Sequence, residues 1–163
     1  MRGTACGVLV LLAVSRTIVA AGAVSEERRA LGVVFESALS RAMEKLEAPA
    51  CRLVLSDFRD ESGRPLAERL AATSLAAPEF LAQLDFRSGG NEDPCQRSLV
   101  DAFTVVGSSR VWICPRGNLG FRRPDADAGS TALIHEMLHA LGLHENPPSS
   151  LEITRHVVAR CGR

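Results

Sequence analysis

His135, Glu136 and His139 are the residues of this chain whose types and spacing could do chemistry. On a helix, side chains four apart stand one turn above the other. Two imidazoles at that spacing can therefore hold one metal ion together. Glu136 is turned by about 100° from His135 and reaches the ion's surroundings from the side, where a carboxylate can take a proton from water. The neighbours call for such a partner. Leu133, Ile134, Met137, Leu138, Ala140, Leu141 and Leu143 cover most of the remaining circumference, and a helix apolar all round is a buried one. Two imidazoles and a carboxylate are costly there unless paired, and a Zn2+ ion would satisfy all three.

A catalytic zinc takes three protein ligands and keeps its fourth position open. Gly142, seven residues after His135, permits a sharp turn that brings the following residues back toward the metal. The run His135-Glu136-x-x-His139-x-x-Gly142-x-x-Glu145 resembles the H-E-x-x-H-x-x-G-x-x-H pattern of the metzincin branch of the zinc metallopeptidases. Glu145 stands where that pattern has its third His, and His144 lies one residue early. Glu145 is favoured, because the turn fixes which residue points at the metal and a carboxylate is an acceptable zinc ligand. His144 is the alternative third ligand. A third option, Glu152, is already explained as part of a helix capping box. The longer run H-E-x-x-H-x-L-G-L-x-E-N-P-P is also similar to small exported bacterial metallopeptidase-like proteins.

The resemblance implies a zincin-like domain that binds Zn2+, acts on a peptide or protein substrate and uses Glu136 as general base. One departure is that Met1, Met43 and Met137 are the only methionines, so no Met-turn follows the site. Another is that the usual C-terminal subdomain shrinks to one helix. Two further contributions are expected near the site. The strand Arg110–Cys114 could offer its edge to an extended peptide, and Arg155 or His156 could stabilise a developing oxyanion. Asp57, Asp60 and Glu61 match no calcium loop and read as a solvated turn. Arg116 to Arg123 reads as a solvated loop.

Such a site needs a frame. The spacing of Leu31, Val34, Phe35, Ala38, Leu39, Ala42 and Leu46 predicts a long helix over Ser25 to Glu47. Alternation predicts a strand over Cys51 to Phe58. Short helices are expected from Pro65 to Ala72 and from Pro78 to Leu84, and a loop from Ser88 to Pro94. Leu99–Val106 and Arg110–Cys114 read as a hairpin around Gly107-Ser108-Ser109. Ser130 or Thr131 would cap the metal helix and Gly142 end it; Ser149 would cap a last helix reaching about Arg160. The fold class is α+β: a minimal zincin-like domain with a long N-terminal helix, a small mixed sheet with hairpin, a buried metal-binding helix and a short C-terminal helix.

Residues 1–23 read as a signal peptide, with an apolar run from Ala5 to Ser15 too short to span a membrane and an A-x-A site at Ala21-Gly22-Ala23. The domain is then 24–163, secreted or in the periplasm or cell envelope, with no stable membrane insertion after cleavage. Of the five cysteines, Cys6 leaves with the signal. The others would form two disulfides, for which Cys95–Cys114 and Cys51–Cys161 are the expected pairs. Basic and acidic residues balance at 19 each, which gives no electrostatic case for nucleic acid. With no Tyr and one Trp, an aromatic stacking platform is also unexpected. Two other classes stay open: a zinc-stabilised, non-catalytic interaction domain, and a metal-free binding domain held by its disulfides.

Overall fold

Two amphipathic helices and an edge strand close around the apolar segment that carries His135 and His139. A computed structural model describes residues 28–97, 100–115 and 126–162; the leader expected over 1–23 and the arginine-rich stretch 116–123 lie outside them. In chain order the elements are α1 (Gly32–Glu47), α2 (Pro49–Arg52), α3 (Val54–Asp57), α4 (Leu66–Ala71), α5 (Ala77–Ala82) and β1 (Asp85–Ser88). They continue with α6 (Asp93–Arg97), β2 (Ala102–Thr104), β3 (Arg110–Ile113), α7 (Ala126–Ala140) and α8 (Ser150–Cys161). The described residues form a mixed helix and strand domain of the α+β class.

The expected face of the long helix is the one that packs. Phe35, Ala38, Leu39, Ala42 and Leu46 are buried along α1, and they meet Leu133, Ile134, Met137 and Leu138 of α7, none of which has any exposed surface. At about 25 cal/mol per Å² of apolar surface removed from water, this seam is a main contributor to the fold. Lys45 is buried on the same side of α1, its ammonium 3.0 Å from Asp127 Oδ1 at the start of α7. Arg41 Nε reaches the same oxygen at 3.2 Å.

The strand expected over Cys51 to Phe58 does not form. The segment folds as the two helical turns α2 and α3. Leu53 is 49% exposed while its neighbours Val54 and Leu55 are both buried, which breaks the period of two that a strand requires. Pro49 begins the first of these turns, a position suited to its fixed φ and missing N–H. Conversely, β1 forms within a stretch that carried little strand signal, because Phe86 is its one buried residue. Pairing with β3 holds it, not propensity.

The sheet has the order β1-β3-β2. β1 runs parallel to β3, with Phe86 opposite Val111. β2 and β3 form the expected hairpin, with Thr104 opposite Val111 and Gly107 at φ 76 in the turn. The order corrects one expectation. Strand Arg110–Ile113 is central, so its edge cannot take a peptide; β1 and β2 are the edge strands, and β2 lies beside α7. The Gly107 amide donates to the His139 carbonyl at 2.9 Å.

α7 starts a turn earlier than its expected cap. Ser130 and Thr131 lie inside it, and both hydroxyls bond back to the Asp127 carbonyl, at 2.8 and 2.9 Å. Both expected disulfides are present, Cys51–Cys161 and Cys95–Cys114. The first closes a sequence separation of 110, for which the chain-entropy account gives roughly 4–5 kcal/mol. Two disulfides point to an oxidising compartment. No described helix is long and apolar enough to cross a membrane.

Beside Cys51–Cys161, Arg160 clamps Asp57 with two bonds of 2.7 and 2.8 Å, tying α8 to α3. That guanidinium holds the Asp57 carboxyl below its ordinary 3.8. Asp60 is drawn down to about 2, chiefly by the Ser62 hydroxyl and then by the Arg64 amide and charge. A depressed carboxylate pKa means that folding favours the ionised form. The stabilisation is complete above the unfolded value and is lost as pH falls through the folded one. We therefore expect the melting temperature to hold steady from pH 7 down to about 5 and to fall between about pH 4 and 2. Asp60→Asn, followed by thermal melts across that range, should flatten part of the fall; an unchanged profile would exclude Asp60 as a source.

Candidate metal centre

The end of α7 builds the centre. Gly142 has φ +107, a region that side chains rarely adopt. Its amide donates to the His139 carbonyl at 2.9 Å, and the Leu143 amide donates to the Leu138 carbonyl at 3.0 Å. Together these bonds form a Schellman cap. The cap folds the chain back so that the Leu143 carbonyl accepts from His139 Nδ1 at 2.7 Å. It also places the Glu145 carboxylate over the imidazoles.

Among the described residues, His135, His139 and Glu145 form the one cluster of three side chains able to hold a metal, their ligand atoms all within 4.8 Å of one another. His135 Nε2 and His139 Nε2 are 3.0 Å apart. Glu145 Oε1 lies 3.3 Å from the second and 3.7 Å from the first. Tetrahedral zinc with bonds of about 2.0–2.1 Å separates its ligand atoms by about 3.3 Å, so the three edges suit such an ion.

The hydrogen bonds behind the rings fit as well. A carbonyl can only accept, so His139 carries a proton on Nδ1 and its Nε2 is the atom that faces the cluster. His135 Nδ1 faces Thr154 Oγ1 of α8 at 3.0 Å, and because a hydroxyl can accept as well as donate, this contact is compatible with a proton on Nδ1 and Nε2 turned inward. Burial, and after it the neighbouring His139, draws the His135 pKa down to about 4. His135 is thus neutral at ordinary pH. A cation between the two Nε2 atoms, 3.0 Å apart, would satisfy both rings at once.

His144 does not join the cluster. Its Nε2 is 3.5 Å from Glu61 Oε2, on an exposed face. Glu152 is occupied in the capping box, its Oε2 accepting from the Ser149 amide at 2.8 Å. His156 lies against Phe58, with ring centroids 5.2 Å apart, and its Nδ1 is 3.9 Å from Asp57. Two residues on from Thr154, it occupies the far side of α8 and so cannot serve an oxyanion at this centre. Arg155 is exposed one step along, with Glu152 as a charged neighbour. Asp60 Oδ1 is taken up by Ser62 and Arg64 within its own turn.

Glu136 sits beside the cluster, 7% exposed. Its Oε2 is buried without a hydrogen-bond partner, and so is Thr104 Oγ1 of β2. Burial pushes the Glu136 carboxyl up to about 8; the Thr104 hydroxyl facing it opposes the shift and the Glu145 charge adds to it. The hydroxyl faces the carboxyl without closing a hydrogen bond. A cation at the three-ligand centre would draw that carboxyl back toward ionisation.

A cleft of about 600 Å³ opens onto His135 and Glu136. Thr131 and Ala132 of α7, Thr154 and Val158 of α8, and Lys45 of α1 line it with them. Sequence reasoning missed two of these contributors. Lys45 reads as part of the charged face of α1, although its place one position before the apolar Leu46 was a clue. Thr154 carries no signal of its own, since nothing in the sequence says that α8 packs against His135.

Compared with protein-family models, curated proteins and solved structures, the chain matches none.

Proposed function

We propose that this protein is an exported zinc-dependent peptidase of the zincin type, a reading that starts from the geometry of its own centre. The single observation that carries it is the convergence of His135 Nε2, His139 Nε2 and Glu145 Oε1 beside a buried carboxyl with an unpartnered oxygen. Three ligands, two imidazoles and one carboxylate, suit a catalytic rather than a closed structural ion, because a fourth position remains. Zinc, when bound, supplies Lewis acidity, making water a nucleophile near neutral pH and polarising the carbonyl to be attacked.

The chain's own residues do the rest. Thr154 and the Leu143 carbonyl fix the ring orientations of His135 and His139, as outer partners of metal ligands do. Glu136 takes the proton from water and later passes it to the leaving amine. The free edge of β2 offers backbone groups to an extended peptide, and the cleft beside His135 accommodates its side chains. The apolar body of α7 lowers the local dielectric and strengthens each of these interactions.

Incubation of the oxidised protein with a mixed peptide library should give cleavage products that disappear with a chelator and return when zinc is restored. Bound zinc without cleavage of any peptide would favour a zinc-stabilised interaction domain. A folded, disulfide-bonded protein that takes up no zinc would leave a binding domain with a chance motif.

A further inference from the structure

The two buried polar atoms without partners among the described residues, Glu136 Oε2 and Thr104 Oγ1, belong to side chains that face one another across the packing of α7 on β2. Buried hydroxyls and carboxylates are almost always paired, so an isolated orphan would be unusual. Two adjacent orphans are each other's missing partner. Along β2, Ala102 and Thr104 share the inner face, while Phe103 turns outward and stacks on Trp112 with ring centroids 4.9 Å apart. The strand register, with Thr104 opposite Val111, and the Gly107 amide bonded to the His139 carbonyl at 2.9 Å hold that inner face against α7.

We infer that Thr104 is a positioning residue for Glu136: a small rotation of either side chain closes a hydroxyl–carboxyl hydrogen bond that aims Glu136 at the space between His135, His139 and Glu145. This rests on the peptidase reading above and adds to it a residue remote in sequence from the metal motif. A hydroxyl suits the task because it donates to a carboxylate and accepts from a carboxylic acid. It can therefore hold a general base in place both before and after proton uptake. A valine at the same place would fill the same volume and hold the strand equally well, but could do neither.

The test compares zinc-loaded wild type with Thr104→Val, Thr104→Ala, Thr104→Ser and Glu136→Gln, together with the Thr104→Val/Glu136→Gln double variant. Val and Ala should each lower kcat about tenfold, a part of what a general base contributes, with KM and zinc stoichiometry unchanged. Ser should restore most of the loss. In the Glu136→Gln background Thr104→Val should cost nothing more, because groups that act as a unit are not additive.

An infrared readout stands apart from activity. The Glu136 carboxyl band, identified by its absence in Glu136→Gln, should shift in Thr104→Val and Thr104→Ala and return in Thr104→Ser. Wild-type kcat in Thr104→Val, a further loss on top of Glu136→Gln, or an unmoved band would each overturn the inference. A band that moves in a protein that cleaves no peptide would uphold the Thr104–Glu136 pair and strike the peptidase reading instead.

Discussion

Glu136→Gln should keep one zinc per chain and lose hydrolysis by a factor of about 10² to 10⁴, the usual contribution of a positioned general base. The separation of the two readouts follows from where Glu136 stands. It is not among the three side chains that converge on the metal position, so metal uptake should be untouched. Its Oε2 closes no hydrogen bond in the fold, and a glutamine amide can still pair with the Thr104 hydroxyl, so the packing beside β2 should be kept. The amide is the same size as the acid and cannot accept a proton usefully. Stability should not fall either, because the change removes a buried ionisable group whose charged form burial disfavours. Calorimetric melts, zinc analysis and cleavage rates on one preparation decide the matter. Full activity in Glu136→Gln would remove Glu136 from the mechanism; loss of zinc would make it a ligand and the geometric assignment wrong.

Truncating one metal ligand should have the second large effect. An apparent binding free energy of about 10 kcal/mol shared among three ligands assigns about 3 kcal/mol to each, or more than a hundredfold in affinity. His139→Ala and Glu145→Ala should each weaken zinc binding by that order. His144→Ala should leave it unchanged, since His144 faces Glu61. Competition against a chromophoric chelator measures all three. Of the two losses, that in His139→Ala should be the greater. His139 Nδ1 also bonds the Leu143 carbonyl, and that bond holds the turn which delivers Glu145. Weaker binding in His144→Ala with none in Glu145→Ala would reverse the assignment of the third ligand.

Local patterns carried a large part of this architecture. The periodicity of Phe35, Ala38, Leu39, Ala42 and Leu46 marks the buried face of α1, because a helix repeats every 3.6 residues whatever it packs against. Gly142 announces the end of α7, because few other residues tolerate φ +107. Ser149 and Glu152 announce the start of α8 through the bonds of a capping box. The failure at Cys51–Phe58 has the opposite cause. A short apolar run satisfies strand and helix patterns alike, and the environment supplied by α8 and the Cys51–Cys161 bridge chooses between them. In the same way β1 exists because β3 lies alongside it.

The sequence alone determined the pair His135/His139, the adjacent Glu136 and the turn that follows, since their relations are set by helix geometry within a few residues. It left the third ligand open between Glu145 and His144, because one step along a turn redirects a side chain entirely. Only the tertiary structure decided that Glu145 meets the imidazoles and that Thr154 stands behind His135 from 19 residues away. It likewise decided that Lys45 borders the cleft and that β3 is central, which leaves β2 at an edge. Glu145 is placed by the turn at Gly142, and the other three share one physical reason. Each depends on the docking of segments distant along the chain, and docking is set by the summed packing of the whole core, which no local pattern of residues encodes.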